Sequence, residues 1–154
     1  MFPITGDTGI KYSTCPTNGK PGYPVKVRTL KGLLTRSLIE LRETTYRFCP
    51  DPDCPTVYFS EDGSQLFDES ALKEKVYQKH PHDNDGFICY CFRYTLGKIH
   101  SEMSESGSTS IPVVITTGVR EGKCACDIRN PQGHCCLGNV KSLIKEIHSL
   151  DPFK

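Results

Sequence analysis

Four of the nine cysteines lie within the thirteen residues from Cys124 to Cys136, and this density constrains the fold more than any other feature. In a reducing compartment such thiols stay free, so their proximity indicates thiolate coordination of a metal. The turn at residues 130–133 (NPQG) would fold the two cysteine pairs back toward one centre. The competing interpretation is a pair of disulfides in a secreted scaffold. The odd cysteine count and the lack of a signal-peptide pattern favour the metal.

The composition indicates a small globular protein with many loops. The 154 residues are 36% hydrophobic and 24% charged, with 13 Gly, 11 Pro, no Trp and a mean hydropathy of -0.41. Bound metal would help to hold such a chain together. A net charge of +1 gives no electrostatic footprint for nucleic acid, and the apolar runs are too short to cross a bilayer. We therefore expect a soluble, cytoplasmic protein with no nucleic acid partner and no membrane insertion.

The sequence pattern of the first half predicts a β-rich fold. Alternation and β-branched or aromatic residues predict strands at residues 23–28, 45–49, 55–60 and 65–67. Between the second and third strands, Cys49 and Cys54 stand at the two ends of a hairpin tip that two prolines stiffen. Residues 30–41 predict a short helical turn followed by extended chain, and residues 70–77 predict a helical turn with Ser70 as N-cap. Residues 1–12 predict an irregular leader, and the polar residues 80–86 a boundary.

The sequence pattern of the second half predicts helices. Thr95 and Gly107 are good caps for a helix over residues 96–105. Residues 110–117 predict a short helix with Pro112 in its first turn, and residues 138–150 carry the clearest apolar stripe. Residues 118–123 predict a loop that leads into the cysteine-rich stretch.

The thiols divide between the two halves. Cys15, Cys49 and Cys54 fall on the β-rich half, whereas Cys89, Cys91 and the stretch from 124 to 136 fall on the helical half. In the second group a C-x-C pair, a helical hairpin and further cysteines directly before a helix follow one another. A helix N-terminus presents free amides and a positive dipole end, which suits the sulfur ligands of a negatively charged cluster. On the residues alone, a second zinc site is as good an interpretation as an iron-sulfur cluster.

Several segments resemble known metal-binding domains. Cys89-Tyr-Cys91-Phe, the Thr95 helix, Thr117-Gly118 and Cys136-Leu-Gly-Asn-Val resemble the 2Fe-2S domain of bacterioferritin-associated ferredoxins. Asn130-Pro-x-Gly-x-Cys-Cys136 is similar to the N-terminal domain of CopZ-type copper chaperones, and Phe48-Cys49 to Cys54-Pro-Thr-Val-Tyr-Phe59 resembles the second cysteine pair of that domain's zinc site. The resemblance extends from about Cys15 to the C-terminal helix.

The resemblance implies an α+β protein with two metal centres. A small β-rich zinc-binding half, residues 13–79, would be followed by a helical 2Fe-2S half, residues 86–150, like that of the bacterioferritin-associated ferredoxins. The implied cluster ligands are Cys89, Cys91, Cys126 and Cys136, with Cys124 and Cys135 as neighbours. Zn2+ would be bound by Cys15, Cys49 and Cys54.

Two departures from the family pattern matter. The first zinc pair of the family is C-x-x-C, but Cys15-Pro-Thr-Asn18 has asparagine in the second place. Because tetrahedral structural zinc takes four ligands, another group must complete the site. Our first choice is Cys124, and the rivals are His80, His82, a water molecule and Asn18 itself. The copper-carrying domain, with its own C-x-x-C, is not in this sequence, so the family's copper delivery cannot simply be transferred.

These features predict a non-enzymatic protein that transfers one electron through a 2Fe-2S cluster and uses zinc structurally. Four thiolates leave the irons no open coordination position, and no nucleophile–base pair stands out, although reduction of a metal ion is left open. The expected partner is a redox protein or a copper-handling protein. One alternative is a metallochaperone or metal and redox sensor that binds Cu(I), a soft ion, through spare thiols such as Cys124 and Cys135. Another is a structural module with two zinc ions.

Overall fold

A computed structural model describes residues 13–150, and the predicted irregular leader lies outside the described residues. The prediction of a mixed helix and sheet fold is confirmed. In chain order the elements are β1 (Tyr23–Val25), α1 (Val27–Leu33), β2 (Tyr46–Phe48), β3 (Thr56–Ser60), β4 (Leu66–Asp68), β5 (Phe87–Cys89), β6 (Tyr94–Thr95), α2 (Leu96–Ser106), α3 (Ile111–Arg120), α4 (Cys126–Arg129) and α5 (Leu137–Leu150). Short 3-10 helices cover Leu38–Glu40, Glu69–Ala71 and Tyr77–Lys79.

The first half is built on an antiparallel sheet in the order β1-β2-β3-β4. All five residues of β3 are buried, which explains its run of aromatic and β-branched residues. One face of the sheet and α1 enclose a core that includes Leu30, Leu33, Tyr46, Phe48, Val57 and Tyr58. The predicted hairpin between β2 and β3 is confirmed, with Tyr46 opposite Ser60 and Phe48 opposite Tyr58.

The second half packs α2, α3 and α5 around the β5–β6 hairpin. The helix predictions are confirmed where local signals were strong. Thr95 accepts a hydrogen bond from the Lys98 N–H at 3.1 Å, and Gly107 ends α2 in the left-handed region at φ 76. Val140 and Leu143 of α5 are buried against this core.

Three local predictions are wrong. The strand expected through Arg28 ends at Val25, because α1 begins at Val27 and packs against α4. Asp68, not Ser70, caps the helical turn that follows β4, and its carboxylate accepts the Ser70 N–H at 3.0 Å. The loop expected from Gly118 starts later, because α3 continues to Arg120.

The two halves pack closely at the turn of residues 130–133. The Tyr58 hydroxyl, which is buried on β3, donates to the Pro131 carbonyl at 2.5 Å. Thr29 of α1 donates to the Asp127 carbonyl at 2.6 Å. Gly133 has a φ of +83, and a Cβ there would lie 2.9 Å from a methyl carbon of Val25, so glycine is required for both reasons. The segment that carries the second thiol group is therefore anchored on the first half.

Candidate metal centres

The first group of thiols forms a compact triangle. Cys15 lies in the knuckle after residue 13, and Cys49 and Cys54 lie at the ends of the β2–β3 hairpin tip. Their three sulfurs all lie within 4.8 Å of one another and are buried, with Phe59 packed beside them. The Cys15 and Cys54 sulfurs are 3.9 Å apart. Tetrahedral zinc with bonds of about 2.3 Å would place sulfurs about 3.8 Å apart, so the triangle has the size of a zinc site.

The electrostatics of this triangle favour a bound cation. Burial raises the pKa of the Cys49 thiol to about 11. Burial also raises the pKa of Cys15, but hydrogen bonds from the backbone N–H groups of Thr17 and Asn18 outweigh it and leave the pKa below its ordinary value. Buried thiolates are costly unless they are paired, and metal binding supplies the missing positive charge while it releases the thiol protons.

The structure does not bring Cys124 to this triangle. Within residues 13–150, no fourth Cys, His, Asp or Glu ligand atom lies within 4.8 Å of all three sulfurs. Cys124 precedes α4, where its charge acts on Cys126 in the other thiol group. His80 is held by Glu69, with Nε2 2.7 Å from Oε1. Asn18 is the rival that lies nearby, but its Nδ2 points at the Cys49 sulfur at 3.7 Å and donates to Asp51 at 2.9 Å, so it acts as a donor.

The second group of thiols is arranged as two pairs. The sulfurs of Cys91 and Cys126 are 3.3 Å apart, and Cys136 lies close enough to Cys89 to lower the pKa of the Cys89 thiol. Cys89 ends β5, Cys126 begins α4 and Cys136 directly precedes α5. Three of the four are buried, and Cys91 is partly exposed. The fold thus collects the four residues that the sequence singled out from three separate segments.

The contact within each pair favours the thiolate form of one of its two members. The contact with Cys126 lowers the pKa of Cys91 to about 6, and the contact with Cys136 lowers the pKa of Cys89 to about 7, each against the effect of burial. The pKa of the other member of each pair, Cys126 and Cys136, is raised by the same contact. The Ala125 N–H also donates to the Cys91 sulfur at 3.2 Å. These contacts favour thiolate character before any metal arrives.

The spacing of these pairs differs from that of the triangle. In the part of the chain that is described, the triangle is the only set of three such ligand atoms lying within 4.8 Å of one another. The second group therefore lacks the compact form that one tetrahedral ion requires. The second group instead forms two thiol pairs, Cys91 with Cys126 and Cys89 with Cys136.

Two further thiols lie beside the pairs. Cys124 and Cys135 are partly exposed, and their charges raise the pKa of Cys126. The Cys135 sulfur accepts the Leu137 N–H at 3.4 Å, so its side chain folds over the start of α5.

Sequence reasoning missed the amide side chains that hold the second group. Gln132 is 5% exposed, and its Nε2 donates to the carbonyls of His134 and Cys135 at 3.2 and 3.1 Å. Its Oε1 accepts from Asn139 at 2.9 Å and from Gln78 at 2.6 Å. The NPQG pattern predicts a turn, but it does not predict the direction of the Gln132 side chain or its hydrogen bonds.

The comparison with known families agrees with the geometry of the triangle. Residues 12–73 match the CopZ-type family described as a zinc binding domain, and this range contains Cys15, Cys49 and Cys54. The first half is thus similar to the zinc binding domain of CopZ-type proteins. The CopZ-like match stops before the second thiol group begins.

Similar proteins extend the comparison over most of the chain. The copper chaperone CopZ of Archaeoglobus fulgidus is 30% identical over 129 residues, which are 84% of this chain and 60% of that protein. The chain thus spans about three-fifths of the length of this curated relative. The X-ray structure of the N-terminal domain of that CopZ superimposes with a TM-score of 0.68 at 24% identity, covering 84% of this chain and 96% of that one. This similarity shows a CopZ N-terminal fold.

Among the helices of residues 13–150, none has the length and apolar character that crossing a membrane requires.

Proposed function

We propose that this protein is a non-enzymatic metal protein in which Cys89, Cys91, Cys126 and Cys136 hold a 2Fe-2S cluster that transfers single electrons. The arrangement of these thiols as two pairs is the observation that carries the proposal. A 2Fe-2S cluster with four cysteine ligands takes two thiolates at each iron, whereas one zinc ion would need all four sulfurs about 3.8 Å apart. Zn2+ in the triangle of Cys15, Cys49 and Cys54 would be structural.

The surroundings of the two pairs fit such a cluster. When bound, the cluster supplies a one-electron redox couple whose potential depends on hydrogen bonds to sulfur and on exposure to water. This chain supplies the Ala125 N–H at Cys91 and buries three of the four thiols. The Nδ2 of Asn130, buried at the end of α4, has no hydrogen-bond partner in the described part of the chain. An unused buried donor next to a ligand-bearing helix suits a centre that carries negative charge.

We also propose that a water molecule is the fourth zinc ligand. Cys124 lies with the second thiol group, His80 pairs with Glu69, and Asn18 donates hydrogen bonds. The Nδ2 of Asn18 then donates to the Cys49 sulfur without binding the metal, and so stabilises the thiolate.

Metal content tests the main proposal. Protein purified without air is expected to contain two irons, two acid-labile sulfides and one zinc per chain, and to show the visible absorption of a 2Fe-2S cluster that bleaches on reduction. Colourless protein with two zinc ions would contradict the cluster and support the structural two-zinc module instead.

A second candidate function is Cu(I) handling, with a copper-handling protein as partner in place of a redox protein. The relative described above is a copper chaperone, and Cys124 and Cys135 are partly exposed thiols that neither centre uses. Thiolates are the ligands that Cu(I) prefers.

Competition with a Cu(I) chelator tests this candidate. If Cys124 and Cys135 bind Cu(I), the cluster-loaded protein is expected to withdraw one Cu(I) from the chelator. The double variant Cys124→Ser/Cys135→Ser is expected to lose that ability and to retain its cluster spectrum. The absorbance of the chelator complex measures the transfer. Equal competition by both proteins would assign the copper to other groups.

A further inference from the structure

The 3-10 helix Tyr77–Lys79 contacts three of the segments that carry metal-binding thiols. It lies between the two halves, and each of its three residues makes a hydrogen bond to a different segment. Such a short element has little stability of its own, so its position depends on these contacts.

Lys79 connects the helix to the zinc triangle. Its ammonium donates to the Asp51 carbonyl at 2.7 Å, inside the hairpin tip between Cys49 and Cys54. The position of Lys79 therefore depends on the conformation of the tip, which a bound zinc would fix.

Gln78 connects the helix to the turn that carries Cys135 and Cys136. Its Nε2 donates to the Gln132 Oε1 at 2.6 Å, and the Nε2 of Gln132 in turn donates to the carbonyls of His134 and Cys135. The Gln132 side chain is fixed from both ends, so a displacement of Gln78 would be passed to the residues next to Cys136.

Tyr77 connects the helix to the loop of Cys89 and Cys91. Its N–H donates at 2.9 Å to the hydroxyl of Tyr90, the residue between these two cysteines. The same hydroxyl donates to the Lys75 carbonyl at 2.5 Å, and Tyr90 is 2% exposed. Both sides of the second thiol group are thus held from one helical turn.

We propose that the helix Tyr77–Lys79 couples the zinc site to the cluster, and that Gln78 is the positioning residue through which zinc geometry reaches Cys136. The inference rests on the proposed 2Fe-2S cluster. A change in the size of the ion in the triangle moves the hairpin tip, and the tip moves Lys79. Gln78 then shifts the turn that carries Cys135 and Cys136, and Tyr77 shifts the loop of Cys89 and Cys91. Hydrogen bonding and exposure at the cluster then change, and these set its reduction potential.

Exchange of zinc for cadmium tests the coupling without emptying the site. Cd2+ is larger and also binds thiolates, so it expands the triangle. In the wild-type protein the exchange is expected to shift the midpoint potential and the electron paramagnetic resonance g values of the reduced cluster. In Gln78→Met, which keeps the length of the side chain and removes its hydrogen bond, the shift is expected to become much smaller, because only the Tyr77 contact to the loop of Cys89 and Cys91 remains. Iron release to a chelator should become roughly tenfold faster in this variant.

Asn84→Ala is the matched control, because Asn84 is an exposed amide in the same connecting region whose side chain has no hydrogen bond in the described chain. It should respond to cadmium as the wild type does. An equal shift in Gln78→Met, or no shift in the wild type, would overturn the coupling and leave the proposed function intact. Wild-type protein that binds no iron would overturn both.

Discussion

Replacement of Cys126 by serine is expected to remove most of the cluster iron, and replacement of Cys135 by serine is expected to leave the visible spectrum nearly unchanged. The Cys126 sulfur lies 3.3 Å from that of Cys91, in one of the two thiol pairs, and is buried at the start of α4. Serine oxygen is a harder and far less acidic ligand than a thiolate, so the iron at this pair would be bound poorly. Cys135 is partly exposed beside the pairs.

Iron and sulfide content together with the visible and circular dichroism spectra measure this difference. Cys124→Ser is a second control, because Cys124 is the other neighbouring thiol and is only two residues from Cys126. The opposite result, with iron lost from Cys135→Ser or Cys124→Ser and retained in Cys126→Ser, would show that the neighbouring thiol is the ligand.

Loss of the zinc ion is expected to destabilise the first half strongly. Cys54→Ser should release zinc and lower the free energy of unfolding by several kcal/mol, because zinc bound to thiolates in small domains supplies about 10–16 kcal/mol. The knuckle with Cys15 and the hairpin tip meet at the buried triangle and at neighbouring side chains, including a 2.6 Å hydrogen bond between Thr17 and Thr56. Urea unfolding followed by tyrosine circular dichroism would report the loss, since Tyr46 and Tyr58 are buried in this half.

Cys124→Ser is also the control for the zinc site. We expect it to keep one zinc per chain and nearly the wild-type urea midpoint. If it lost zinc as Cys54→Ser does, Cys124 would be the fourth ligand and the arrangement of the second thiol group would have to change when the metals bind.

Elements with local signals were predictable from the sequence. Thr95 and Gly107 set the ends of α2 through contacts within a few residues, and the prolines between Cys49 and Cys54 mark the hairpin tip. The collection of Cys15 with these two cysteines followed from the same reasoning together with the family resemblance. Such features depend on capping and turn chemistry, which the sequence displays directly.

Elements that depend on distant partners were not predictable. Val27 lies in an alternating pattern that favours a strand, but α1 packs so closely on α4 that a Cβ on Gly32 would be 2.7 Å from the Ile128 carbonyl oxygen. The location of Cys124 depends likewise on how α4 docks. The turn between β5 and β6 was missed because it contains no glycine, and Arg93 adopts a φ of 63 there.

The hydrogen bond from Tyr58 to Pro131 bears on the order in which the protein acquires its metals during synthesis. A growing chain exposes Cys15, Cys49 and Cys54 long before Cys126 and Cys136 leave the ribosome, and domains fold as they emerge. The turn at residues 130–133 therefore emerges after β3 and packs against the strand that carries Tyr58. We expect zinc to be bound first and to act as a folding template, so that a cell short of zinc would lose the iron centre as well.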